Sequence, residues 1–214
     1  MLSDVIVSLV TLAILGLFLC VNLANFLLMK HKRRKQVLRS SIRASEGRGS
    51  NLAGFGTLLF WAEVLVFPSA VLFGFGLWVV NSPLKLTFPF DSLFQILGLL
   101  MLVSGVLLFS WSILARGEHA VSWDMPEDHK LVTWGPYKYV RHPSYLSYFL
   151  LISGFFLAWL SLLTLPCFAA IPGYFLSVET EEKMLIERFG DKYRLYQKRT
   201  GKFIPRVRKR QNQE

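Results

Sequence analysis

The sequence predicts an all-α integral membrane protein of about five transmembrane helices, ending in a helical hairpin and a cytoplasmic amphipathic helix. Three observations predict it. Hydrophobic residues make up 53% of the 214 residues and charged residues only 18%. The apolar residues gather in runs long enough to cross a bilayer, for which about 20 residues suffice. Lys plus Arg number 24 against 14 Asp plus Glu, and these charges fall between the runs. A greasy, basic chain of this kind is not a disordered protein, a coiled coil or a secreted disulfide framework. Cys20 and Cys167 each lie inside an apolar run and form no metal or disulfide pattern. Basic loops beside apolar spans are what insertion requires, so no nucleic-acid partner is expected.

The first run, Val5 to Met29, is 25 residues without a charge. Asp4 precedes it and Lys30-His31-Lys32-Arg33-Arg34-Lys35 follows it, the reverse of a signal peptide's polarity. It reads as an uncleaved span with its C-terminal end in the cytoplasm. The second run, Leu52 to Val80, contains Glu63 and Pro68. A carboxylate at that depth must face protein, water or a partner, and the proline predicts a kink. The third run is Ser92 to Ala115 and the fourth Tyr145 to Leu165. The fifth, Pro166 to Val178, has 13 residues, about 20 Å of helix. The fourth and fifth are expected to form a tight hairpin turning near Thr164-Leu165-Pro166, with Pro172-Gly173 weakening the second leg.

Five spans with the N-terminus outside put 23 of the 24 basic residues on one face, Lys85 being the exception. The positive-inside rule makes that face cytoplasmic. Beyond the hairpin, Leu185, Phe189, Tyr193 and Tyr196 mark one face of an amphipathic helix over 179–198, with Gly190 its weak point. The chain divides into 1–115, three spans with a basic loop; 116–205, the region carrying the chemistry; and 206–214, a charged tail.

Two cytoplasmic segments concentrate polar groups. In 129–145, Gly135-Pro136 is a turn signal, and Pro143 holds His142 extended while opening the fourth helix. Arg141, His142 and Tyr145 then stand at one foot of the hairpin, and Glu181 and Glu182 at the other. Both feet share a side of the membrane, so the topology brings the groups together. A ligand ammonium suits Glu181, and a ligand carboxylate suits Arg141 or a helix N-terminus. Tyr137, Tyr139 and Tyr145 can stack on a base or face a cation. These demands describe S-adenosyl-L-methionine, and methyl transfer asks for proximity and a dry site rather than a metal. The same residues would equally serve a juxtamembrane loop with anchoring aromatics. No phosphate-binding glycine loop is present. His119, His129 and His142 with Glu118 offer no helical pair at metal-ligand spacing, so no metal is expected.

Three motifs in order carry a resemblance: Leu131-Val132-Thr133-x-Gly135-x-Tyr137, then Arg141-His142-Pro143-Ser144-Tyr145, then Glu181-Glu182 with Leu185, Phe189-Gly190 and Tyr193. Over roughly 128–205 the chain resembles the isoprenylcysteine carboxyl methyltransferase family, within a wider group of membrane methyltransferases that includes phospholipid N-methyltransferases. The resemblance implies S-adenosyl-L-methionine in a cytoplasmic pocket and a lipophilic small-molecule or lipidated acceptor entering from the bilayer. It implies cofactor contacts at His129, Lys130, Leu131, Val132, Gly135, Tyr137, His142, Pro143, Ser144, Tyr145 and Glu181, with Ser122 an upstream polar neighbour. Arg141, Glu181 and Glu182 are the candidate catalytic residues. Four residues before the glutamate pair, the family's eukaryotic members carry an arginine implicated in binding the substrate carboxylate; here that position is Ser177. The function expected is carboxyl O-methylation of an isoprenylcysteine-like acceptor. The alternatives are phospholipid amine N-methylation, a sterol-type NADPH reductase (whose related motif Pro143, Ser144 and Ser147 do not match) and a non-enzymatic membrane scaffold.

Overall fold

The computed structural model describes residues 2–36, 41–43, 48–75, 82–117, 124–126 and 130–206. Six α-helices dominate: α1 Asp4–Gln36, α2 Arg48–Phe73, α3 Asp91–Arg116, α4 Pro143–Trp159, α5 Ala170–Phe189 and α6 Asp191–Arg199. Four helical stretches are long and apolar enough to cross a membrane: Asp4–Leu28, Gly49–Phe73, Asp91–Arg116 and Leu162–Phe189. The helix Pro143–Trp159 is apolar but has only 17 residues, about 25 Å at helical rise. The protein is a helical integral membrane protein. Large apolar side chains such as Leu23, Leu28, Leu58, Phe73, Leu93 and Leu114 face outward, as lipid rather than water requires.

The interior is aromatic and tightly layered. Phe60, Phe155 and Leu151 are buried to 1% exposure or less, and Phe60 and Phe67 meet Phe155 edge-on or tilted at ring separations of 5.7 and 5.6 Å. In lipid there is little hydrophobic force between helices, so close backbone approach supplies the packing. At the α3–α4 crossing, a Cβ added to Gly154 would meet the Gly98 carbonyl oxygen at 2.7 Å. No larger residue fits there without separating the helices.

Two expectations are corrected. The hairpin does not turn at Thr164-Leu165-Pro166. The turn comes earlier, where Leu160 takes a left-handed conformation (φ 47°) after α4. Ser161 then caps a 3₁₀ helix over Leu162–Ala169, its hydroxyl accepting from the Leu163 N–H. Pro166 lies inside that 3₁₀ helix, and Pro172 lies in the first turn of α5, where a missing N–H costs nothing. The long leg is therefore the second one. The amphipathic segment 179–198 is not one helix either. Gly190, at φ 54°, ends α5 and begins α6. Beside the helices, one short ribbon pairs β1 Ser41–Arg43 antiparallel with β2 Asp124–Pro126, joining the two basic loops. Of the second apolar run, residues 76–80 lie outside the described residues.

The two ends of the bundle are tied differently. At one end Lys85 forms an ion pair with Asp4 at 2.9 Å. The 82–86 segment hydrogen-bonds the hairpin turn through Leu86 N–H to Leu160 O (2.6 Å) and Leu162 N–H to Leu84 O (2.9 Å). The opposite end gathers the last turn of α3, the start of α4 and the polar half of α5.

Candidate active site

Pro143 opens α4 with His142 as its N-cap residue. The Leu146 N–H reaches the His142 carbonyl at 3.1 Å. The strand-like path before it is fixed from the C-terminal side. Val140 bridges Gly201 in parallel, and the N–H groups of Arg141 and His142 donate to the carbonyls of Gly201 (2.8 Å) and Lys202 (3.1 Å). Both side chains are thereby aimed at α5, which carries Glu181 and Glu182 side by side.

Glu182 is the hub. It is buried, at 8% exposure. Its Oε1 accepts from Arg141 Nε at 2.8 Å and lies 3.0 Å from His142 Nε2. Its Oε2 accepts from Gln197 Nε2 at 3.0 Å. Arg141 also donates to the carbonyls of Gln197 and Thr200. A buried carboxylate is stable only with partners of this kind, and here its two oxygens receive three. Arg141 is accordingly engaged within the protein by Glu182, Gln197 and Thr200.

Glu181 faces the other way. Tyr145 donates its hydroxyl to Glu181 Oε1, and His142 Nδ1 lies 3.7 Å from Oε2. His142 therefore stands between the two carboxylates, and its ring stacks near that of Tyr145. Tyr145 in turn leans on Tyr174, at 4.9 Å between ring centres. Phe203 packs against His142, Phe149 and Phe175, so an apolar wall closes this side of the polar cluster.

The preceding loop completes the surroundings. Tyr137 is buried, and its hydroxyl lies 3.4 Å from that of Ser144. Its carbonyl accepts from the Tyr196 hydroxyl at 2.6 Å. Burial pushes both phenols above their ordinary range, so they remain neutral donors. Gly135, at φ 58°, rests on the end of α3; a Cβ there would meet the Ala115 Cβ at 2.8 Å. Val132 is buried, Leu131 half-buried and Lys130 exposed. Ser122 and His129 lie outside the described residues. The structure thus brings together Tyr137, Arg141, His142, Pro143, Ser144, Tyr145, Glu181 and Glu182. Ser177 turns its hydroxyl onto the Gly173 carbonyl of its own helix (3.0 Å).

Two participants were not singled out from the sequence. Gln197 supports Glu182, and no sequence signal marks it within a charged helix. Arg116 ends α3 and donates from Nη2 to the Ser144 hydroxyl at 3.3 Å. Its signal was its place as the basic residue closing an apolar run, where it reads as a topology-setting charge.

Residues 93–192 match the family model described as phospholipid methyltransferase. The protein-S-isoprenylcysteine O-methyltransferase of Schizosaccharomyces pombe is 34% identical over 121 residues, which cover 54% of this chain and 51% of that protein. That of Saccharomyces cerevisiae is 31% identical over 156 residues, 71% of this chain and 60% of that protein. That of Tribolium castaneum is 33% identical over 114 residues, 51% and 41% respectively. The chain thus spans about half the length of the curated relatives it matches. A solved structure of a eukaryotic intramembrane Ras methyltransferase, an isoprenylcysteine carboxyl methyltransferase, is 24% identical, covering 92% of this chain and 67% of that one with a TM-score of 0.47. The chain is similar to isoprenylcysteine carboxyl methyltransferases, as its motifs implied.

Proposed function

We propose, from this kinship with membrane methyltransferases, that the chain is an S-adenosyl-L-methionine-dependent enzyme that methylates the carboxylate of a lipophilic, isoprenylcysteine-like acceptor at the cytoplasmic face. The observation that carries the reading is Glu181. It is a half-buried carboxylate in the polar half of α5, held by a tyrosine and a histidine rather than by a full ion pair. Such a group suits a ligand ammonium, and the aromatic side chains around it suit an adenine or a sulfonium. The donor set therefore fits the cofactor. When bound, the cofactor supplies an electrophilic methyl group for in-line transfer.

The chain's own residues then have separate tasks. Glu181 receives the ammonium. Glu182 holds Arg141 and His142 in place, so the ends of α4 and α5 stay in register. Tyr137 and Ser144 line the same mouth, and Phe149, Phe175 and Phe203 keep water from one side. A carboxylate acceptor is already nucleophilic and needs no base, which agrees with a site whose histidine is committed to two glutamates. An acceptor with an apolar tail can leave that tail in the bilayer, where each CH₂ is worth about 0.8 kcal/mol.

Amine methylation of a phospholipid is the second reading, favoured by the family model over residues 93–192. Purified protein incubated with methyl-labelled cofactor, a prenylcysteine acceptor and an ethanolamine phospholipid separates the two. Alkali releases label from a methyl ester as methanol but leaves an N-methyl group intact. Base-labile label on the prenylcysteine is the expected result. Base-stable label in the phospholipid would replace the carboxyl reading, and label in neither would overturn methyl transfer to both acceptors.

A further inference from the structure

Among the described residues, Arg116 is a charged group at this end of the bundle that the fold leaves underused. Its Nη2 makes a long contact with the Ser144 hydroxyl, 3.3 Å. Its Nε is buried and has no hydrogen-bond partner among the described residues. A buried guanidinium donor without an acceptor is costly, and structures keep such a group where something fills it. Arg141 is different, since Glu182, Gln197 and Thr200 take its donors. Ser177 supplies no cation, because its hydroxyl serves its own helix.

The surroundings of Arg116 say what would fill it. Its Nη2 meets the Ser144 hydroxyl, which lies 3.4 Å from that of Tyr137, so it stands beside the same mouth. It does not pair directly with Glu181, whose close polar partners among the described residues are Tyr145 and His142. A cation and an anion held near each other, each fixed by other groups, are complementary to a zwitterion or to a carboxylate placed next to an ammonium. The planar guanidinium fork matches a carboxylate, and the hydroxyls of Ser144 and Tyr137, 3.4 Å apart, add further donors.

We propose that Arg116, with the hydroxyls of Ser144 and Tyr137, forms a carboxylate-binding subsite beside Glu181. The assignment rests on the methyltransferase reading. Two carboxylates can come to it: the α-carboxylate of the cofactor, or the carboxylate of the acceptor. Binding measurements tell them apart. S-adenosylhomocysteine and its decarboxylated analogue, which keeps the ammonium, are titrated calorimetrically into wild-type protein, Arg116→Gln and Arg116→Lys. A charged hydrogen bond lost here should weaken binding about 10- to 100-fold, with Lys intermediate because it keeps the charge but not the fork.

If the cofactor's carboxylate is the occupant, Arg116→Gln weakens S-adenosylhomocysteine and leaves the decarboxylated analogue unchanged. If the acceptor's carboxylate is the occupant, both titrations stay at wild-type affinity and the acceptor KM rises by that factor. Equal weakening of both analogues would mean that Arg116 acts through the fold, and the subsite is wrong. Unchanged affinities with unchanged KM would also overturn it. Should Arg116→Gln fail to fold, the Lys variant makes the same comparison. Wild-type protein that binds neither analogue would instead defeat the cofactor reading on which the subsite rests.

Discussion

The two ends of this bundle use buried polar groups in opposite ways. At the Asp4 end, charged and amide side chains close on partners, and of its buried polar atoms the Trp159 indole Nε1 has none among the described residues. Gln95, 1% exposed, accepts from the Leu2 N–H at 2.6 Å and donates to the Ala158 carbonyl at 3.1 Å. Lys85 and Asp4 neutralise each other. At the Glu181 end, charges are held but not all consumed: Glu182 is saturated, while Glu181 and Arg116 retain capacity. Buried polar groups that complete one another fasten helices. Buried opposite charges that stop short of doing so suit a ligand that carries both signs. Substitutions at the two ends should therefore separate stability from binding.

The largest effect is expected at Glu182. Replacing it by Ala leaves the Arg141 guanidinium buried without its carboxylate, and breaking a buried pair from one side costs about 3–5 kcal/mol. Thermal unfolding in detergent should show a large drop in stability, with cofactor binding lost as a consequence. A Glu182→Ala variant as stable as wild type would mean that the hub does not hold the two helices.

Glu181→Gln comes next and should break the pattern in the other direction. Tyr145 keeps an acceptor in the amide, so the fold should survive with a loss under about 1.5 kcal/mol. Affinity for S-adenosylhomocysteine should fall at least about tenfold, since the charge proposed to receive the ammonium is gone. A folded variant with wild-type affinity would remove Glu181 from the site.

How much of this was legible before the structure follows from what each feature depends on. The Arg141-to-Tyr145 motif and the Glu181-Glu182 pair could be brought together on paper, because a hairpin puts its feet on one side of a membrane. That Arg141 pairs with Glu182, at 2.8 Å, rather than staying free for a ligand carboxylate was not legible. The position of the turn was not legible. Pro166 is a strong sequence signal, whereas a left-handed Leu160 has none, a positive φ being unusual for a branched side chain. Gln95 was equally silent: a single amide in an apolar run does not say which backbone it will bridge. Arg116 was visible only as one of the 23 basic residues sharing a face. Its unpartnered Nε is a property of packing in three dimensions.

A smaller effect is expected at Gln95, which sharpens the comparison. Gln95→Leu removes both hydrogen bonds and leaves the buried Ala158 carbonyl without this donor, a cost of about 1–3 kcal/mol. Because α3 and α4 both run on to the opposite end, a looser junction here tests whether the ends are independent. The midpoint of thermal unfolding should fall while S-adenosylhomocysteine affinity stays within twofold, or about 0.4 kcal/mol. Parallel loss of both would show that the α3–α4 pair transmits strain along its length.

Lys85→Met should have the smallest effect, and it is the cleanest probe of the Asp4 end. The Lys85 and Asp4 side chains are 16% and 31% exposed, so water still reaches the pair and screens it. Exposed or partly exposed ion pairs contribute about 0–1 kcal/mol. The methionine keeps the apolar stem that lies beside the hairpin turn. The backbone hydrogen bonds of Leu84 and Leu86 to Leu162 and Leu160 do not need the ammonium. Stability should therefore drop by no more than about 1 kcal/mol, and both cofactor affinity and methyl transfer should match wild type. A stability loss well above that figure would make the ion pair a fastener in its own right. A loss of binding without a loss of stability would contradict the division of labour between the two ends, because nothing at Lys85 touches the groups around Glu181.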